Sequence, residues 1–218
     1  MLKHKQLYLL LLLATISAGA IFAVQIINTK KITITPNSVP ILSNGYFDIL
    51  IEEDDYVLGN PGAPLTVVLF NDFSCPTCKT TYNEITKFVN EHPQNIRLFL
   101  KETPRKNLFY KTNDLPYRSS FCAGKQNKYW EYLDVLNTQK NISSESDLTK
   151  IANELKINTI SWWQCVNSDA AKQKIARTIS LAESLGIEQV PTIYINNKKI
   201  NLDKDINIIE MLSKFIEK

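Results

Sequence analysis

The sequence predicts an α/β fold, a central mixed sheet flanked by helices and interrupted by an all-helical insertion. Three observations predict it. An apolar run, Leu65 to Phe70, leads into a stretch of helical periodicity and then into an alternating run, Ile96 to Lys101. Strand, helix and strand within about 36 residues form a βαβ unit, whose strands run parallel because a crossover helix joins them. Residues 115–185 then read almost wholly helical. Finally, a strand starting at a proline, a tight turn and an amphipathic helix return the chain to β structure.

Each element has a local cause. Leu65 to Asn71 is rich in bulky and β-branched residues, as a buried strand requires. Thr77 to Glu91 carries Tyr82, Ile85, Phe88 and Val89 at helical spacing and stops at His92-Pro93. In the next strand Ile96, Leu98 and Leu100 alternate with Arg97, Phe99 and Lys101. The helical block resolves into four amphipathic stretches: 119–136, 147–155 with Ser143 or Ser144 as cap, 159–166, and 168–185 closed by Gly186. Asn196-Asn197 turns the strand Val190 to Ile195 into a hairpin with Lys198 to Asn201. The last helix spans 206–216, with Asp203 or Asp205 as cap. Leu58 to Pro64 is a loop dense in turn residues, and Glu52-Glu53-Asp54-Asp55 reads as a solvated acidic face.

The N-terminal part differs in kind. Gln6 to Asn28 holds no charged residue, and its apolar core, Leu7 to Ile27, is about 21 residues, long enough to cross a bilayer as a helix. Lys3, His4 and Lys5 precede it, the pattern of an export signal. Ala18-Gly19-Ala20 offers a small-residue cleavage site, but the apolar run continues through Val24, which favours an uncleaved anchor. The organisation is therefore a tail at 1–5, a signal-anchor or signal peptide at 6–28, a spacer and extension at 29–57, and a domain at 58–218 with its helical insertion at about 115–186. The chain is expected at the extracytoplasmic face of a bacterial cell envelope, anchored in the membrane through this helix, or free in the periplasm after cleavage.

The chemistry concentrates at Cys75-Pro76-Thr77-Cys78, directly behind the first strand and at the start of its helix. Unpaired N–H groups and the helix dipole favour an anion there, so a thiolate is stabilised. The second thiol lies one turn on and can close a disulfide. Zinc is disfavoured because a structural site takes four N/S ligands. Here Cys122 and Cys165 stand apart, and the two histidines are His4 and His92. Lys79 after Cys78 excludes haem attachment. The net charge of +3 comes without a basic stripe, which argues against nucleic-acid binding. No metal or cofactor is called for.

Three segments carry a family resemblance. Residues 58–64 followed by Val67-Val68-Leu69-Phe70-Asn71-Asp72-Phe73-Ser74-Cys75-Pro76-Thr77-Cys78 look like the entry to a DsbA-like active site. Phe121 to Tyr132 resembles the insert helix of that branch, and Gly186 to Thr192 its cis-proline loop. The chain thus resembles the DsbA-like thiol:disulfide oxidoreductases of the thioredoxin superfamily over about residues 57–217.

The resemblance implies an enzyme that introduces disulfides into exported or unfolded thiol-bearing proteins and is recycled by a membrane redox partner. A reductase or isomerase on the same fold, or a non-catalytic chaperone or assembly factor, is the alternative. It makes Cys75 the exposed nucleophile and Cys78 its partner, with Pro76 and Thr77 setting the redox poise. Val190, a cis Pro191 and Thr192 would bind substrate. Cys122 and Cys165 would form a second, structural disulfide; two separate buried thiols are the other reading. Two departures stand out. Thr77 replaces the histidine of the strongest oxidants, which predicts a milder oxidant. Leu69 replaces a buried acid six residues before the first cysteine; Asp72, Glu84 and Glu102 are the acids near it in sequence. The aromatic group of Tyr129, Trp130, Tyr132, Trp162 and Trp163 is expected to pack the insert.

Overall fold

The structure, a computed structural model, describes residues 51–104, 113–139, 144–201 and 207–217. The span expected over 6–28, the spacer through residue 50, and Asp203 and Asp205 lie outside these. Among the described residues no helix is long and apolar enough to cross a membrane.

Five strands form one sheet in the order β1-β3-β2-β4-β5. They are β1 (Val57–Gly59), β2 (Leu65–Asn71), β3 (Ile96–Glu102), β4 (Thr192–Ile195) and β5 (Lys198–Ile200). β2 and β3 are parallel, as the βαβ unit requires, and the other pairings are antiparallel. β2 lies at the centre and is buried along nearly its whole length, which is why it reads as a continuous apolar run. Asn196 and Asn197 both take positive φ, 45° and 66°, the left-handed pair that a two-residue hairpin turn demands.

Seven helices are described: α1 (Pro76–Glu91), α2 (Leu115–Gly124), α3 (Tyr129–Thr138), α4 (Glu145–Glu154), α5 (Thr159–Val166), α6 (Asp169–Ser184) and α7 (Ile208–Ile216). One face of the sheet (Leu65, Val67, Leu69, Ile96, Leu98, Leu100) packs with Tyr82, Ile85 and Val89 of α1, the helical insertion, and Leu212 of α7. The other face (Val68, Phe70, Phe99, Tyr194) is covered by Ala182 and Leu185 at the end of α6.

The structure departs from the sequence expectations in four places. The amphipathic stretch at 119–136 is two helices, α2 and α3, because Asn127 takes φ 58° and breaks the chain between them. Residues 57–59, expected as the edge of a loop, form β1; three residues are too few for periodicity to reveal a strand. α7 starts at Ile208, and the Asn207 side chain accepts from Ile209 and Glu210 N–H as its cap. Of the acidic stretch at 52–55, Glu53 is exposed, but Glu52, Asp54 and Asp55 are not a solvated face. Lys174 Nζ lies 2.8 Å from Glu52, 2.7 Å from Asp54 and 2.6 Å from Asp55, while Asp55 also pairs with buried Lys101 at 2.5 Å. Arg177 pairs with Glu52 and Asp54. The folded body therefore reaches in front of the expected boundary at 58.

The aromatic group packs inside as expected. Trp162 is fully buried and donates to the Ser119 carbonyl at 3.0 Å, and the Tyr132 hydroxyl donates to the Leu148 carbonyl at 3.0 Å. Cys122 of α2 and Cys165 of α5 are joined by a disulfide, with Cα atoms 5.8 Å apart.

Candidate active site

β2 ends at Asn71, a four-residue connection follows, and α1 begins at Pro76. Proline at the first helical position costs nothing, because its missing N–H would have had no partner in the helix. Cys75 is the N-cap in extended conformation, φ −96° and ψ 118°, and its sulfur accepts from the Cys78 N–H at 3.4 Å. A sulfur in this position satisfies one of the orphan amides and sits at the positive end of the helix. The Thr77 hydroxyl lies 3.1 Å from the same sulfur. When Cys75 is a thiolate, Thr77 is the donor in that contact.

From 115 residues away, the Val190 carbonyl oxygen lies 3.8 Å from the Cys75 sulfur. The Val190–Pro191 bond is cis. Thr192 opens β4, pairs with Phe70 of β2, and donates its hydroxyl to the Gln189 carbonyl at 2.7 Å. The structure thus brings Cys75, Cys78, Pro76, Thr77 and the Val190-Pro191-Thr192 segment together. The Cys122–Cys165 bond lies in the helical insertion, between α2 and α5.

Cys75 is less open than expected, at 5 % exposure, because Val190 and Thr77 crowd its sulfur; Cys78 is fully buried. Both are free thiols. Burial pushes the Cys78 thiol far above its ordinary range. The neighbouring Cys75 and the charge of Asp72 act in the same sense, and a backbone hydrogen bond of Asp72 opposes them. The two sulfurs are therefore unequal. One is at the rim of the site with three polar contacts, and the other is interior and held as the thiol.

Asp72 is a site residue that sequence reading left without a role. It is buried, and its Oδ1 accepts from Ser74 N–H at 2.8 Å, the Ser74 hydroxyl at 2.6 Å and the Tyr117 hydroxyl at 2.7 Å. Its carbonyl accepts from Cys75 N–H at 3.0 Å. Tyr117 also stacks on Phe73 with centroids 4.8 Å apart. An acid three residues before a thiol at a strand end was the available signal. Its partner Tyr117, in the insertion, could not be read from sequence. Leu69 is buried between Leu100 and Ile193, so no acid stands at that point of the sheet.

A family model described as thioredoxin matches residues 52–218. The chain belongs to the thioredoxin family. Among curated relatives, a Na(+)/H(+) antiporter NhaA 1 of Salinispora arenicola is 24% identical over 161 residues, 72% of this chain and 24% of that protein. The chain thus spans about a quarter of the length of the antiporter relatives it matches. A probable disulfide bond formation protein D of Bacillus cereus is 25% identical over 160 residues, covering 68% of this chain and 73% of that one. Among solved structures, a thioredoxin-like oxidoreductase from Silicibacter pomeroyi superposes with TM-score 0.64 at 24% identity, covering 76% of this chain and 92% of the other. Oxidised BdbD from Bacillus subtilis does so with TM-score 0.62 at 22% identity, covering 80% and 97%. At these identities the structural likeness shows the thioredoxin fold.

Proposed function

We propose that the chain is an extracytoplasmic thiol-disulfide oxidoreductase that introduces disulfides into exported proteins through Cys75 and Cys78. The observation that carries this is the inequality of the two sulfurs. Cys75 caps α1 within reach of two donors and of the Val190 carbonyl, and Cys78 is buried behind it. A substrate thiolate attacks the Cys75 sulfur of the oxidised pair, the Cys75–Cys78 bond breaks, and Cys78 leaves with the electron pair. The second substrate thiol then resolves the mixed disulfide, leaving Cys75 and Cys78 reduced.

Val190, Pro191 and Thr192 form the edge along which an extended substrate segment lies, a form of strand addition. Pro76 and Thr77 tune the potential, and the Cys122–Cys165 bond holds the insertion together. Residues 6–28 anchor the domain, and a membrane redox partner reoxidises the pair. A relative whose name is disulfide bond formation protein D supports the oxidative direction.

The test is the reduction potential of the Cys75–Cys78 pair together with a Cys75→Ser variant. A potential of about −120 to −180 mV supports an oxidase, and one near −270 mV a reductase. Disulfide formation in exported proteins that survives Cys75→Ser would point to a non-catalytic assembly role.

A further inference from the structure

Alternation places two buried polar residues one step beyond Leu69 and Leu100. In β2, Leu65, Val67 and Leu69 face the larger core, so Asn71 continues that face; in β3, Ile96, Leu98 and Leu100 do, so Glu102 continues it. Asn71 and Glu102 are register partners across the parallel pair. Asn71 is 0% and Glu102 5% exposed. Among the described residues, neither the oxygen nor the nitrogen of the Asn71 amide finds a hydrogen-bond partner. Such a group in a folded interior calls for an explanation, and a water or a catalytic role is among those it admits. Helix α1 packs on the same face through Tyr82 and Ile85, and Cys78 lies four and seven residues before them, on the same stripe.

Among the described residues, no cation pairs directly with Glu102. The Ser120 hydroxyl of α2 lies 2.8 and 2.9 Å from its two oxygens, and the Tyr129 hydroxyl of α3 donates at 3.0 Å. Burial pushes its carboxyl up to about 8, against those hydrogen bonds and the charge of Lys174 from α6. Tyr117 of α2 donates to Asp72 in the loop before Cys75, and its hydroxyl feels both this acid and the Cys78 thiol. Burial raises its hydroxyl, and Asp72, Glu102 and Cys78 all act on it in the same sense. Tyr82 of α1 and Tyr56 of the N-terminal segment also respond to Glu102. Glu102 also lines a cavity of about 20 Å³, shared with Asp54, Asp55 and Lys174. That volume admits a water molecule.

We propose that Glu102 is the proton donor to the departing Cys78 sulfur, relayed past Asn71 and resupplied through the cavity beside Lys174 and Asp55. This deepens the oxidoreductase reading and rests on it. When a substrate thiolate attacks Cys75, the Cys75–Cys78 bond breaks and Cys78 takes the electron pair. The Glu102 carboxylic acid gives up its proton, by way of water, and Cys78 becomes a thiol. The carboxylate regains a proton from solvent. Cys78 is fully buried, and burial favours its neutral thiol, so the departing sulfur takes up a proton. The assignment also gives this chain an acid for the oxidative direction where Leu69 offers none.

The test is the rate at which dithiothreitol reduces the Cys75–Cys78 disulfide of the full chain, divided by the dithiothreitol thiolate concentration, from about pH 6 to pH 10. General acid catalysis typically contributes about 10²–10⁴-fold, and water in the cavity recovers part of it. Glu102→Gln is therefore expected to slow the reaction at least about tenfold below pH 8. It should also erase an inflection near pH 8 that the wild type and Glu102→Asp both show. A purely structural role would not move that inflection. A flat wild-type profile, or a Glu102→Gln profile that follows the wild type, overturns the assignment while leaving the oxidoreductase reading intact. A wild-type pair that dithiothreitol does not reduce removes that reading itself. Infrared spectra of the wild type make the test independent of the variant's folding. A protonated-carboxyl stretch at pH 6 that fades near pH 8 supports the assignment, and its absence at pH 6 overturns it.

Discussion

The Tyr117 hydroxyl donates a 2.7 Å hydrogen bond to Asp72, and so ties the helical insertion to the loop that carries Cys75. Both residues are buried. Tyr117→Phe removes a donor from a buried carboxylate, a loss of about 1–3 kcal/mol. Thermal or urea denaturation will show it. Asp72→Asn removes a charge that helps hold the Cys78 thiol up. In a Cys75→Ser background, the Cys78 thiolate absorbance should then rise at lower pH than with Asp72 in place.

The proposed tuning of the poise by Thr77 acts through one hydroxyl. Its oxygen lies 3.1 Å from the Cys75 sulfur and donates to the thiolate. A hydrogen bond to a charged group contributes about 1.5–3 kcal/mol. Thr77→Val destabilises the reduced form by that amount, so the pair becomes more reducing by about 30–60 mV. Equilibration against glutathione measures the shift; an unchanged potential would remove Thr77 from the tuning of the site.

Cys78→Ser leaves a nucleophile without its partner. Mixed disulfides between Cys75 and substrate should accumulate, visible as slow bands on non-reducing gels that disappear on reduction. The Cys75→Ser/Cys78→Ser double variant should form none.

The Cys122–Cys165 bond closes a loop across a sequence separation of 43 residues. Cys122→Ala/Cys165→Ala is expected to cost about 3–4 kcal/mol, chiefly by freeing the unfolded chain. The rate of thiol exchange at Cys75 should stay within about threefold of the wild type if this bond has no part in the chemistry. Denaturation midpoints and exchange rates separate the two effects.

Lys174→Met strips a shared cation from Glu52, Asp54 and Asp55. Breaking a buried ion network by removing one partner costs about 3–5 kcal/mol. The cost depends on pH. Burial works to raise the Glu52 and Asp54 carboxyls, yet the hydrogen bonds and charges of Lys174 and Arg177 outweigh it, and both lie below their ordinary values of 4.5 and 3.8. Groups lowered in this way stabilise the fold above the unfolded values and lose that contribution as pH falls through the folded ones. Wild-type stability should therefore drop on acidification below about pH 4.5, and Lys174→Met should show a shallower drop. Urea midpoints between about pH 2 and pH 7 read this directly.

Much of this protein is written in short stretches of its sequence. The parallel β2–β3 pair follows from an apolar run and an alternating run separated by one helix. The Asn196-Asn197 turn follows from two residues that tolerate positive φ, and α4 from its capped pattern. Cys75 at a helix N-terminus follows from Pro76 and the strand before it. These are local rules of periodicity, capping and backbone sterics, and they need no partner elsewhere in the chain. Tertiary structure decided what depends on contacts across long separations. It turned Glu52, Asp54 and Asp55 from a solvated face into partners of Lys174, about 120 residues on. It covered Cys75 with the Val190 carbonyl, buried Glu102 beneath Ser120 and Tyr129, and gave Asp72 its tyrosine. Charge and burial are properties of an environment, and an environment exists only once the chain has folded.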